Sequence, residues 1–292
     1  MGARQDFGPL STRAKRLQAV IDGPIHVPEI DAEVGKGELD YEVYLRTSEL
    51  LSLQHSTDER CHPDELAFQV VHQVQELWLR LLNQRLVALV DLIDADAPSS
   101  VHRTINRCVV ILESMCSSMD SLSTLMPADF QIIRRNLGDG SGLQSPGYAA
   151  LRQAGAVVEE ARQACFERAG VSLETVYRTH EPEYLVALCE SLLDLDVAYQ
   201  RWLVAHFYLV RRTIGVHRDV PALDGYPTKA LEVRMKRPLF PELWDVRVAL
   251  TRGWNREGGV APGAPRSETL ESPAPRQARA SDTLADAPRD GE

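Results

Sequence analysis

Residues 64 to 93, DELAFQVVHQVQELWLRLLNQRLVALVDLI, carry the clearest structural signal in the chain. Apolar side chains recur every three or four residues, which is the repeat of an amphipathic α-helix and not that of a β-strand. The pattern lasts for about eight turns, so it predicts one long helix with a broad apolar face. That face consists of Phe68, Val71, Val74, Leu77, Trp78, Leu81, Leu82, Leu86, Leu89 and Ile93.

Three further segments have the same period. Residues 101–122 repeat apolar side chains at three-four spacing and predict a second long helix. A third is predicted from Ser145-Pro146, since proline is favoured in a first turn, to Gly170. A fourth begins near Glu181-Pro182 and ends at Gly215. No segment alternates with a period of two, so the sequence predicts an all-α fold, a bundle of long helices with a loop-rich stretch from about 216 to 240.

Both ends of the chain differ in composition from this bundle. Residues 1–37 mix charged residues with the breakers Gly23-Pro24 and Gly35-Lys36-Gly37, and predict a flexible N-terminal segment. From Thr251 onward Pro, Ala, Gly, Ser, Arg and acidic residues dominate, and such a composition cannot bury enough apolar surface to order itself. We therefore expect one folded domain over 38–250, followed by a disordered tail over 251–292.

Charge and composition oppose several classes of partner. The formal net charge of −10 disfavours binding to nucleic acid phosphates and to anionic lipid. Five cysteines, an odd number without a Cys-x-x-Cys pair, do not indicate a disulfide framework or a structural zinc site. Neither a signal peptide nor a membrane-spanning run is apparent. The sequence predicts a cytoplasmic protein whose partners are small molecules or copies of itself.

Two histidines lie on the apolar faces of two different predicted helices. His72 follows Phe68 by one turn, and His206 follows Trp202 by one turn. A single histidine in such a position is more often a core residue that bonds a buried partner. A pair on separate long helices is more suggestive, because bundles build cofactor sites from side chains that face inward across the core. The residues alone leave both interpretations open.

A pair of arginines, Arg134 and Arg135, precedes a glycine-rich segment at 136–142. The simpler interpretation is a solvated arginine pair before a turn. The functional one is that a guanidinium group binds a carboxylate, while serine and glycine backbone let a ligand approach closely. Nucleotide-binding loops, a nucleophile elbow and the zinc-protease motif are absent from the sequence.

Several of these residues lie in motifs that resemble a known family. The segment from His62 to Arg80, HPDELAFQVVHQVQELWLR, resembles the distal-histidine helix of tryptophan 2,3-dioxygenases, which read much like H-D-E-x-x-F-I-x-x-H-Q-x-x-E-L-W. Four further matches are collinear with that family and together cover about 38–250. They are Tyr41 to Leu45 with Leu50 to Gln54, Arg134 with Ser141 to Ser145, Leu188 to Gly215, and Phe240 to Arg247.

The resemblance implies a haem-dependent oxygenase that uses dioxygen to oxidise the ring of an aromatic amino acid, converting L-tryptophan to N-formylkynurenine in the family's own reaction. Its implied cofactor is haem b, with His206 as the axial iron ligand and His72 as the distal residue that meets the substrate's ring N–H or O–H. Arg134 would bind the substrate carboxylate, and the other implied substrate-binding residues are Phe68, Phe130, Ser141, Gly142, Tyr41, Tyr44 and Leu45. The last three match residues that the family lends to a neighbouring subunit, so the resemblance also implies a homo-oligomer, a dimer or more usually a tetramer.

One segment departs from the family pattern. Tryptophan dioxygenases carry a lysine-rich turn and then G-T-G-G-S-S-G, which closes over the substrate's amino group, whereas this chain has VHRDVPALDGYP at 216–227. Proline and bulky residues cannot follow the backbone path that glycines allow. Asp219 or Asp224 is a candidate to replace the lost amine contact by charge.

The altered loop keeps other functions open. The same superfamily includes haem-dependent tyrosine hydroxylases and indole mono-oxygenases of specialised metabolism, which insert one oxygen atom and are a second interpretation of this chain. A third interpretation is a haem-binding sensor without catalysis. The presence of both His72 and Arg134 argues against the sensor, because a sensor has no need to bind an amino acid carboxylate.

Overall fold

The computed structural model describes residues 11–22 and 39–252, and the extended regular elements within them are all helices. In chain order the α-helices of this part are α1 (Thr12–Asp22), α2 (Asp40–Leu45), α3 (Thr47–Leu51), α4 (Glu65–Asp94), α5 (Pro98–Asp120), α6 (Pro127–Arg134), α7 (Pro146–Ala169), α8 (Leu173–Thr179), α9 (Glu183–Thr213), α10 (Ala230–Arg234) and α11 (Pro241–Arg252). The described ranges contain no β-strand, only an isolated bridge between Pro221 and Pro227. The predicted all-α fold is thus confirmed.

The four predicted long helices are α4, α5, α7 and α9. Local sequence explains where α7 begins and ends: the Ser145 hydroxyl accepts the Tyr148 N–H at 3.0 Å, Pro146 occupies the first turn, and Gly170 closes the helix with φ +66°. A left-handed residue at the C-terminus favours glycine because it has no Cβ. The second helix begins three residues before the predicted Val101 and ends two residues before Leu122, because the chain tightens into a 3₁₀ turn over Ser121–Thr124.

The bundle core lies between the long helices. Helix α4 packs against both α5 and α7, and α5 packs against α9. The buried side chains at the centre are those that the period of 3.6 places on the inner faces, among them Leu82, Leu89, Ile105, Leu112, Leu185 and Leu192. Burying a side chain of this size contributes about 1.5–3 kcal/mol, so the core stabilises the helices that carry the site.

A fully buried carboxylate ties the end of the domain to α9. Asp196 accepts hydrogen bonds from the backbone N–H groups of Leu239 (3.0 Å) and Phe240 (3.1 Å) and from the Trp244 indole (3.0 Å). A buried charge is tolerated when several donors satisfy it. Asp196 therefore fixes the two residues that precede α11 and the first turn of that helix.

The structure differs in part from the sequence prediction at the N-terminal segment and in the loop-rich stretch from 216 to 240. Residues 12–22 form α1 inside the segment predicted to be flexible, because good helix formers such as Ala14, Lys15, Arg16 and Leu17 follow one another there without a breaker. The stretch from 216 to 240 contains the short helix α10. Apart from 251 and 252, which continue α11, the predicted disordered tail lies outside the described residues. In the part described, none of the helices has the length and apolar character to cross a bilayer.

Candidate functional site

A cavity of about 670 Å³ lies at the end of the bundle where the first half of α4 faces the last half of α9. The 3₁₀ turn Gly142–Gln144, the loop 216–228 and α10 complete its wall. Most of the lining is apolar, and its large apolar side chains include Phe68, Met119, Phe130, Trp202 and Phe207. A pocket with apolar walls and a few polar groups is the usual form of a small-molecule or cofactor site.

A smaller cavity of about 380 Å³ lies at the opposite end of the bundle. Its histidine, His102, has both ring nitrogens in hydrogen bonds, to Ser191 Oγ at 2.9 Å and to Asn106 Nδ2 at 3.1 Å. A histidine with both nitrogens engaged is not free to bind a metal or a substrate. The larger cavity is therefore the candidate site.

The structure brings the two predicted histidines into this one cavity. The Trp202 indole of α9 donates to Gln75 Oε1 of α4 at 2.9 Å, which sets the register between the two helices. His72 lies one turn before Gln75, and His206 lies one turn after Trp202. Since the helices run in opposite directions, both histidines lie on the same side of this contact, and both line the cavity.

His206 is partly buried and has no polar partner among the described residues. Neither of its ring nitrogens makes a hydrogen bond to a residue in 11–22 or 39–252. Burial, with a smaller contribution from His72, lowers the pKa of His206 to about 4, so the imidazole is neutral at physiological pH. A neutral imidazole with a free nitrogen is the form that binds metals. Gly142 lies beside this ring, since a Cβ at this position would be in van der Waals contact with His206 Nε2 at 3.8 Å.

The His72 ring is held in one orientation. Its Nδ1 bonds the Phe68 carbonyl at 2.7 Å, and its ring lies against the Phe68 ring with centroids 4.1 Å apart. Because a carbonyl only accepts, Nδ1 carries the proton and Nε2 is left as an acceptor. Burial lowers the pKa of His72, while the Phe68 carbonyl and Glu76 oppose that effect. The side chain nevertheless has exposed surface, since it faces the cavity.

Arg134, at the last turn of α6, also lines the cavity, whereas the adjacent Arg135 is exposed. The Nη2 group of Arg134 donates a hydrogen bond to the Pro221 carbonyl at 2.7 Å. A guanidinium group has five N–H donors, so this bond leaves others for a ligand. No carboxylate of the described residues pairs with Arg134.

The loop that departs from the family pattern closes on itself. Ala222 N–H donates to the Tyr226 carbonyl at 2.8 Å and Thr228 N–H to the Val220 carbonyl at 2.9 Å, while Gly225 turns the chain with φ +83°. Asp224 lines the cavity and accepts from the Ser141 hydroxyl at 2.6 Å. Asp219 does not line the cavity: it is exposed and lies 3.2 Å from His217 Nδ1. Of the two candidate acids, only Asp224 is in the site.

The three residues predicted to serve a neighbouring subunit lie away from this cavity. Tyr41, Tyr44 and Leu45 of α2 are exposed, Tyr44 to 87%. None of them lines the cavity of its own chain. The remaining predicted residues, Phe68, Phe130, Ser141 and Gly142, all line it.

Sequence reasoning missed two residues of the site. Arg234 of α10 lines the cavity, is half-buried, and has no side-chain partner in the described ranges. Glu76 holds the start of α7 at the cavity wall through the Ser145 hydroxyl and the Gly147 N–H, the latter at 3.1 Å. Glu76 could have been found, since it follows His72 by one turn on the same helix face. Nothing local in the sequence indicates that Arg234 faces the cavity.

Comparison with known proteins finds similarity to tryptophan 2,3-dioxygenases both in a family profile and in individual relatives. The family profile of tryptophan 2,3-dioxygenase matches residues 27–164, a range that includes His72 and Arg134 and ends before His206. A tryptophan 2,3-dioxygenase of Anaeromyxobacter dehalogenans is 30% identical over 270 residues, which cover 75% of this chain and 99% of that protein. The tryptophan 2,3-dioxygenases of Erythrobacter litoralis (29% over 264 residues; 73% and 99% covered) and Herpetosiphon aurantiacus (28% over 262 residues; 73% and 98% covered) are similar to it over comparable lengths.

Proposed function

Because this chain belongs to the tryptophan 2,3-dioxygenase superfamily of oxidoreductases, we propose that it is a haem-dependent oxygenase that oxidises the ring of an aromatic L-amino acid. The observation that carries the proposal is the pair of histidines in one apolar cavity. His206 offers a neutral imidazole that has no hydrogen-bond partner within 11–22 and 39–252, and His72 faces the same space with an acceptor nitrogen.

The residues of the cavity fit haem. Its volume of about 670 Å³ lies within the roughly 300–1,000 Å³ of ligand pockets, and its walls are apolar enough to cover a porphyrin. His206 would hold the haem iron through its ring nitrogen, which makes no hydrogen bond within the described ranges. Arg234 supplies an unpaired positive charge for a propionate. When bound, the haem would supply the activation of dioxygen, which is chemistry that protein side chains do not provide.

The work of the protein is to hold the substrate. Arg134 would bind the α-carboxylate by charge-assisted hydrogen bonds. The rings of Phe68 and Phe130, with centroids 5.7 Å apart, form an apolar wall for the aromatic ring. His72 Nε2, the acceptor that the Phe68 carbonyl leaves available, would accept a hydrogen bond from the substrate's ring N–H or O–H. Each contact orients the ring, and none requires His72 to be charged.

The loop at 216–228 bears on which amino acid is the substrate. In place of a glycine-rich loop, this chain has a turn that is closed by its own backbone bonds. The substrate would then be held mainly by Arg134 and by the ring's contact with His72, and a phenol O–H can replace an indole N–H at that contact. The altered loop therefore supports a second candidate function, hydroxylation of L-tyrosine or mono-oxygenation of an indole. The dioxygenase reaction on L-tryptophan is the first candidate.

Two titrations of the haem-loaded protein, followed through the haem spectrum, test both candidates. We expect L-tyrosine to bind within about tenfold of L-tryptophan, a difference below about 1.4 kcal/mol. The mass of each product formed under dioxygen then shows whether one or two oxygen atoms are inserted. If only tryptophan binds and gains two oxygen atoms, the hydroxylase candidate is excluded. If neither amino acid perturbs the haem spectrum, the proposed function as a whole is contradicted.

We also propose that the protein acts as a homo-oligomer. Tyr41, Tyr44 and Leu45 expose aromatic and aliphatic surface outside their own cavity, and such surface is typical of a subunit contact. Mixing a Tyr44→Asp variant with a His206→Ala variant and measuring their activity would show whether the pocket is shared between chains. The cytoplasmic location stays a prediction from the sequence.

A further inference from the structure

The wall of the main cavity contains a cation, Arg134, and an anion, Asp224, that are not paired with each other. Arg134 and Asp224 both line it and both are partly buried. Within the described ranges, neither side chain makes an ion pair. Partly buried charges are normally compensated by a partner of opposite sign. Two such groups of opposite charge in one cavity indicate a ligand that carries both charges itself.

The Asp224 carboxylate is held in place and still has room for a ligand. Its Oδ2 accepts from the Ser141 hydroxyl at 2.6 Å, and its Oδ1 accepts from the Tyr226 N–H at 3.1 Å. An ionised carboxylate offers about four acceptor positions, so about two stay available. Both present donors are neutral, which leaves the negative charge uncompensated.

Arg134 is tied to the same turn. Its guanidinium group bonds the Pro221 carbonyl at 2.7 Å, three residues before Asp224. Three residues span at most about 11 Å when fully extended, and the bond from Gly225 N–H to the Ala222 carbonyl at 3.0 Å folds this segment further. Arg134 is therefore bonded to the same short turn that carries Asp224, although the two side chains form no ion pair.

We propose that Asp224 binds the α-ammonium group of the substrate while Arg134 binds its α-carboxylate, so that the cavity selects a zwitterionic α-amino acid. The inference rests on the proposed function and adds the group that recognises the amine. An α-amino acid carries an ammonium group and a carboxylate on the same carbon. This arrangement matches an anion on the turn, Asp224, and a cation bonded to that turn, Arg134. Asp219 cannot serve in this way, because it is exposed and lies beside His217 and Arg218.

The test compares an amino acid with the same molecule lacking its amine. Haem-loaded protein is titrated with L-tyrosine and with 3-(4-hydroxyphenyl)propionate, and with L-tryptophan and indole-3-propionate, through the haem spectrum. In the unaltered protein each amino acid should bind at least about tenfold more tightly than its des-amino analogue, from the strength of a hydrogen bond between charged groups. Equal affinities would overturn the proposal without any variant.

The Asp224→Asn variant isolates the carboxylate. It should weaken binding of the amino acid about 10- to 100-fold and leave binding of the des-amino analogue within about twofold. Asp219→Asn, in the same loop, is the matched control and should change neither affinity. An equal loss for both ligands in Asp224→Asn would overturn the proposal, since it would show that Asp224 only shapes the loop. If the unaltered protein binds neither ligand of a pair, the proposed function fails and this inference fails with it.

Discussion

Replacing Arg134 with leucine is expected to weaken substrate binding and leave the haem in place. The guanidinium group already donates to the Pro221 carbonyl at 2.7 Å and has donors left to bind a carboxylate. A charge-assisted contact of this kind, in a partly buried wall, contributes about 2–4 kcal/mol. The dissociation constant of the amino acid should therefore rise by about 30- to 1000-fold. Titration of the haem-loaded variant, followed through its absorption spectrum, measures the change.

Two companion variants separate the possible causes. Arg135→Leu removes the adjacent, exposed arginine and should leave the dissociation constant unchanged. Arg134→Lys keeps the charge but loses the planar fork, so its affinity should fall between those of the unaltered protein and Arg134→Leu. Normal binding by Arg134→Leu, together with a loss in Arg135→Leu, would refute the assignment of the carboxylate to Arg134.

Four other substitutions test the site and its support. His206→Ala should fold but bind haem poorly, and an unchanged haem absorption band and stoichiometry in this variant would exclude His206 as the iron ligand. His72→Ala should instead retain haem and lose turnover. Gly142→Ala should fold with an unchanged melting temperature yet load less haem, since its Cβ faces His206 Nε2 at 3.8 Å; full loading would show that this close approach has no role. Asp196→Asn should lower the free energy of unfolding by about 2–4 kcal/mol in denaturant titrations, because it leaves buried N–H donors without an acceptor; the exposed Asp194→Asn on the same helix is its control, and equal effects would contradict the role of Asp196.

The long helices could be predicted because their signal is local. The period of 3.6 that places Leu82, Leu86 and Leu89 on one face is visible within the segment itself, and the limits of α7 follow from Pro146 and Gly170. Local residues did not reveal α10, which is only five residues long and therefore carries little periodicity. Helices of that length are stabilised by packing more than by propensity.

The candidate site could be predicted only in part, for a related reason. His72 and His206 lie on apolar helix faces, so each could be recognised as facing the core. Their meeting in one cavity depends on the contact between Trp202 and Gln75, which are 127 residues apart in sequence. The contact between Ser141 and Asp224 spans 83 residues and joins two loops. Such contacts depend on the tertiary arrangement, and no short pattern encodes them.

The Gln75 side chain determines where this protein tolerates changes in length. Its Nε2 donates to the Met115 carbonyl at 2.8 Å and to Ser118 Oγ at 2.7 Å, and its Oε1 accepts from Trp202, so one amide joins α4, α5 and α9. Adding or deleting one residue in a helix rotates everything beyond it by about 100°. A single insertion between His72 and Gln75, or between Trp202 and His206, would turn one histidine out of the cavity while the amide contact stayed in place. A change of length in a loop that joins two long helices does not rotate a histidine in this way. The segments from His72 to Gln75 and from Trp202 to His206 must each keep the same number of residues.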